Sequence, residues 1–208
     1  MLQSRLPRKS KILSKNIQNS SIALALAAIN LTIGGIVSWM KLPIYLDTIG
    51  LIISTVLLGW RFGLLTGIVT VGVGFFIINP YLPAYSATLI ALVITTEFLA
   101  KKVMFRSIGS SVAAGIILAI VAAVVSAPVT AYLFGGVTAS GADLLTAFLR
   151  QTGQTILQSV VLSGISSELV DKTLVSVAAC LIFRSLPRRF FAEFSLRSQK
   201  PNPDKLKP

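Results

Sequence analysis

The chain holds only seven acidic residues in 208, so each carboxylate inside an apolar stretch is a candidate for chemistry. Three ionisable residues, Glu168, Asp171 and Lys172, interrupt the last apolar run. Glu168 and Lys172 are four positions apart and can pair on a helix, while Asp171, three positions from Glu168, shares that face. Ionisable side chains in a membrane span are costly and turn to the bundle interior or to an aqueous cavity. Two readings stand side by side: a self-neutralised structural pair, or a ligand or partner contact. A second group lies in Lys41–Gly50, where Lys41, Tyr45, Asp47 and Thr48 gather donors and acceptors between two apolar runs. Asp47 opens an apolar helix. Its carboxylate there caps the helix N-terminus and matches its dipole, or touches a ligand, or does both. Asn79, Tyr81 and Tyr85 add polar groups from a proline-containing loop, and Asp143, Arg150, Gln151, Gln154 and Gln158 add more before the last run. Polar groups collected at the outer mouth of an apolar bundle suit capture of a small molecule, because ligand sites join apolar walls to a few placed polar groups.

Other chemistries are excluded by what the residues lack. There is no histidine, which removes HExxH motifs, histidine-containing triads and histidine metal sites. The single cysteine, Cys180, leaves no internal disulfide. No GxxxxGK[ST] stretch occurs, so the chain is not itself an ATPase. No GxSxG elbow occurs. Gly135, Gly136 and Gly141 follow a helix rather than a strand and read as a flexible turn. The chain is not expected to be an enzyme, and no cofactor is expected.

The elements that must carry these residues are membrane helices. Of the residues 54% are hydrophobic and only 12% charged, with mean hydropathy +0.81; soluble domains carry roughly a quarter charged residues. Apolar runs extend over about 17–40, 44–59, 64–78, 84–99, 108–133 and 156–183, several near the roughly 20 residues a spanning helix needs. Lys41-Leu42-Pro43, the polar hinge Trp60–Gly63, the loop Asn79–Pro83 and a polar stretch with a short helix over Ala142–Leu149 separate them. The expected fold is an all-α membrane protein, a bundle of six transmembrane helices over residues 17–190. A basic tail (1–16) precedes it and a second, disordered basic tail (191–208) follows.

The net charge of +12 fits this topology better than nucleic-acid binding. With six spans and both termini cytoplasmic, every basic residue except Lys41, Arg150 and Lys172 falls on the inner side, as the positive-inside rule requires. The flanking Lys and Arg then face anionic lipid of the bilayer. Ala23 and Ala27, one turn apart on helix 1, form a small-xxx-small step that lets two membrane helices approach closely.

The Ala23–Ala27 step, the stretch KLPIYLDTIG (41–50), LFGGVTASGADLLTAFL (Leu133–Leu149) and LVDKTLVS (Leu169–Ser176) followed by RSLPRRF together resemble a substrate-binding S component of an energy-coupling factor (ECF) transporter. The similarity spans residues 22–190. It implies six helices that bind a vitamin-like micronutrient near the outer face of a bacterial cell membrane. It also implies a separate membrane coupling protein packing on Ala23 and Ala27, and two ATPases. The candidate ligands it implies are cobalamin, queuosine or queuine, and riboflavin-like compounds. For a guanine-like base, Asp47 or Asp171 is placed to read the donor edge. The alternatives are a secondary transporter that works without ATPases, and a membrane scaffold or assembly protein.

Overall fold

The computed structural model describes residues 8–185, with side chains from Leu13 onward. The N-terminal residues up to 7, the RSLPRRF motif beyond Ser185 and the whole C-terminal basic tail lie outside the described residues. Seven α-helices follow in order: α1 (Arg8–Trp39), α2 (Ile49–Leu58), α3 (Trp60–Ile77), α4 (Ser86–Lys101), α5 (Ile108–Pro128), α6 (Ala142–Gln151) and α7 (Ile156–Ser185). A 3-10 turn (Leu82–Tyr85) leads into α4, and a π turn (Val129–Leu133) extends α5. Among the described residues there is no strand.

Four segments are long and apolar enough to cross a membrane: Leu13–Trp39, Trp60–Ile77, Leu82–Lys101 and Ile108–Leu133. Six such helices were expected, and two of the expected spans differ for separate reasons. The second apolar run is folded into the ten-residue α2, about 15 Å long at 1.5 Å per residue, half the ~30 Å hydrocarbon core. The last run forms the 30-residue α7, which has ample length but carries Glu168, Asp171, Lys172 and Arg184. The short helix expected over Ala142–Leu149 is α6.

The break between α2 and α3 falls at Gly59, whose φ of 99° and ψ of 171° lie in a region open essentially to glycine. Trp60–Gly63, read as a polar hinge, is already the first turn of α3. At the start of α5, the Ser107 side chain accepts from the Ser110 N–H at 3.3 Å, a serine N-cap.

The core lies around α2, in which every residue from Gly50 to Val56 is buried. Leu51, Ile52, Ile53 and Val56 meet Leu92 and Val93 of α4, Leu118 and Ala122 of α5, and Val175 and Ala179 of α7 in one cluster. Small residues allow the α5–α7 approach: a Cβ on Gly115 would lie 2.6 Å from the Thr173 Cα. The outward faces are apolar as well, with Ile68, Ile94, Val124 and Leu174 exposed, as expected of helices solvated by lipid tails rather than water.

Candidate functional site

A cavity of about 170 Å³ opens at the end of the bundle where α4 begins, opposite the end where α4 closes on Lys101. Its wall draws on α1 (Asn30, Gly34), the α1–α2 loop (Tyr45, Asp47, Thr48), α2 (Leu51), α3 (Thr70) and the α3–α4 connection (Asn79, Tyr85). It is completed by Thr88 and Leu92 of α4, Ser126 of α5, Thr130 of the π turn, and Glu168 and Lys172 of α7.

The α1–α2 loop is pinned into the bundle from three sides. Gly34 leaves room for it, since a Cβ there would meet the Asp47 Cβ at 2.8 Å. Asp171, fully buried, accepts the backbone N–H groups of Tyr45 at 3.1 Å and Leu46 at 2.6 Å through Oδ1. Leu46 holds a φ of 50°, a left-handed conformation unusual for a branched residue, and the Asp171 acceptor supports it. At the start of α2, Asn30 Oδ1 accepts the Gly50 N–H at 2.6 Å while Asn30 Nδ2 donates to Thr70 Oγ1 at 3.2 Å. One buried amide thereby ties α1 to both α2 and α3. The N-cap position of α2 is Thr48, without a side-chain capping bond, so capping is not what holds Asp47 in place.

Three loops meet over the cavity mouth. Asp143 gathers the 138–140 turn, accepting from Thr138 N and Oγ1 at 2.9 Å each and from Ser140 N and Oγ at 3.2 Å each. Asn79 Nδ2 donates to the Thr138 carbonyl at 2.8 Å, and Lys41 Nζ donates to the Ala139 carbonyl at 2.9 Å. Gly141 sits directly on the backbone of Leu42, where a Cβ would come within 2.1 Å of the carbonyl oxygen. Deeper down, the Tyr85 hydroxyl bonds Thr130 Oγ1 at 2.8 Å.

The charged floor belongs to α7. Lys172, only 2% exposed, contacts the Asp171 carboxylate and lies 2.9 Å from Glu168 Oε2. The expected Glu168–Lys172 pair is therefore present, with Asp171 as a second partner of the same lysine. Asp47 retains partial exposure, and that exposure is to the cavity. Burial pushes its carboxyl above the ordinary carboxylate range, with Lys172 opposing the rise and Asp171 adding to it. Burial also pushes the Tyr45 hydroxyl well above the ordinary phenol range, with Glu168 adding to it.

Of the residues expected at the site, Tyr45, Asp47, Thr48, Asn79, Tyr85 and Glu168 line the cavity. The other four stand elsewhere. Asp171 sits behind the wall as the anchor of the α1–α2 loop, Lys41 and Asp143 fasten the loops over the mouth, and Gln154 is exposed before α7. Ala23 and Ala27 are both 0% exposed within the chain itself, and the Ala23 carbonyl accepts from Thr66 Oγ1 of α3 at 3.1 Å. Their close-approach face thus serves packing inside this bundle and offers no outward surface.

Asn30, Thr70, Thr88 and Thr130 were not anticipated. Asn30 carried a signal, as an amide in the middle of a membrane helix that must find partners. The threonines carried none, because a hydroxyl in a membrane helix can bond its own backbone four residues back, as Thr70 also does at 2.8 Å. The arrangement is suited to holding a small solute between apolar side chains and a few acceptors. No known protein family, characterised protein or solved structure matches the chain.

Proposed function

We propose that this chain is a solute-capturing membrane subunit, the S component of an ECF-type importer in a bacterial cell membrane. The observation that carries this reading is the cavity itself. It is walled by six helices, one of which carries buried charge, and roofed by three cross-linked loops at one end of an otherwise apolar bundle. A cavity that joins apolar walls to a few placed polar groups suits capture of a small solute. The chain has no nucleotide-binding motif, so energy for uptake comes from a separate coupling protein and two ATPases. The ligand is a vitamin-like micronutrient.

The proposed topology has six membrane-embedded segments, with α2 buried among the others, and both termini in the cytoplasm. Lys101, Lys102 and Arg106 at the end remote from the cavity support it, since positive residues mark the inner face. The cavity then faces outward. The coupling protein meets a surface other than the Ala23–Ala27 face, which is occupied in this conformation.

Native mass spectrometry of the gently solubilised chain, after incubation with a micronutrient panel, tests the reading. A retained small molecule supports capture. Uptake by the chain alone in nucleotide-free proteoliposomes would replace the ATPase-driven reading with a secondary transporter. A chain that stays empty and transports nothing would leave the scaffold reading.

A further inference from the structure

The ionisable groups on the cavity wall are unbalanced in number, with carboxyl groups in excess. Among the described residues, Lys172 is the sole Lys or Arg lining the cavity, against the two carboxylates Asp47 and Glu168. Asp171 lies behind Lys172 and contacts it, so one negative charge already compensates that lysine. Glu168 Oε2 sits 2.9 Å from the same Nζ but has no hydrogen bond of good geometry, although Glu168 is only 7% exposed. Thr88, 8% exposed, and Thr48 add hydroxyls to the same wall, and neither Oγ1 has a hydrogen-bond partner. Ser54, Thr96, Ser159, Ser167 and Ser176 share that condition away from the cavity, so the carboxyl groups rather than the threonines carry the assignment.

Carboxylates held away from bulk water are costly unless a counter-charge or donors reach them. We propose that the cavity takes a small solute presenting a cationic or multiply N–H-bearing group, such as an amidinium, an amine or a protonated ring nitrogen, to Glu168 and Asp47. Its apolar body rests on Leu51, Leu89 and Leu92. This assignment rests on the solute-capture reading and adds the chemical class of the ligand. An anionic solute meets the Asp47 and Glu168 carboxyl groups in the same place, with a single lysine that Glu168 and Asp171 already engage.

The test uses the full chain in detergent and three probes that share one ring: benzamidine as the cation, benzamide as the neutral isostere and benzoate as the anion. Ligand-observed saturation-transfer NMR, which registers weak binding, compares them at equal concentration. Benzamidine is expected to bind and the anion to stay silent. Glu168→Gln, which leaves the Lys172–Asp171 contact in place, is expected to weaken benzamidine at least tenfold while benzamide is unchanged. Asp47→Asn serves as the second variant, on a different element, with the same expected direction. Benzoate binding as well as benzamidine, or benzamidine indifferent to both substitutions, overturns the ligand class while leaving solute capture standing. Silence from all three probes on a folded chain removes the cavity as a solute site, and with it the reading on which the class depends.

Discussion

Leu46 donates its backbone N–H to Asp171 Oδ1 at 2.6 Å across 125 residues of chain, and Tyr45 donates to the same oxygen. The carboxylate that engages the buried lysine of α7 therefore also holds the α1–α2 loop in its inward conformation. Floor and wall of the cavity share one residue. Asp171→Ala removes both functions, leaving two backbone donors and part of the Lys172 charge unpaired. Breaking a buried ion pair from one side costs roughly 3–5 kcal/mol. The expected outcome is a large drop in melting temperature for the purified protein, together with protease sensitivity in the 40–48 loop. A near wild-type melt would show that the loop is held by other contacts.

The approach of α1 to α2 depends on Gly50, where a Cβ would lie 2.1 Å from the Leu26 carbonyl oxygen. Backbone cannot retreat as a side-chain tip can. Gly50→Ala is expected to destabilise the bundle by more than the 1–3 kcal/mol usual for overpacking. Gly72 in α3 has nothing within 4 Å of the same ideal position, so Gly72→Ala is expected to be neutral or to gain up to about 1 kcal/mol from helix propensity. Thermal melts of the two variants, measured together, check the contrast.

Ala23 provides a sharper division between internal packing and partner docking. Because it is buried against α3, Ala23→Leu is expected to lower the stability of the isolated chain by about 1–3 kcal/mol. Leu24→Ala, at an exposed neighbour on the same helix, is expected to leave the isolated chain's stability within about 0.5 kcal/mol. If Ala23→Leu melts like wild type on its own, the inward packing of α1 is not what the alanine serves.

Asp47 yields a pH dependence of definite sign. Its folded-state carboxyl is raised by burial above the ordinary value of 3.8, whereas the unfolded chain keeps that value. Above about 3.8 the folded state holds more protons than the unfolded state, so this contribution to stability is present at low pH and is lost as pH rises through the folded value. Asp47→Asn lacks the contribution. The stability of that variant relative to wild type should therefore improve as pH climbs from 4 toward neutrality. A difference that stays flat over that range would contradict the shift.

Much of the bundle was legible in the residues because lipid imposes so few solutions. The apolar runs ending near Ile78, Leu99 and Leu133 correspond to α3, α4 and the α5–π segment, since a spanning chain must satisfy its backbone internally and helices do this locally. The Glu168–Lys172 pair was legible for the same local reason, a spacing of one helical turn. The sequence by itself therefore determined the helical class, the breaks at 41–43 and 79–83 and the one-turn pairings, all set by nearest neighbours and by the apolar solvent, whereas the hinge expected at Trp60–Gly63 proved to be the first turn of α3.

What only the tertiary structure decided is which polar residue faces which. Glu168 and Asp171 share one face of α7, yet Glu168 lines the cavity while Asp171 anchors the loop. That division depends on where the α1–α2 loop lands, more than a hundred residues away. Asp143 and Lys41 proved to be fasteners of the roof, and the small face of Ala23 and Ala27 turned inward. Periodicity specifies which residues share a face; it does not specify what that face meets. The meeting is settled by close packing between distant helices, where glycines and alanines admit one neighbour's backbone and exclude another's.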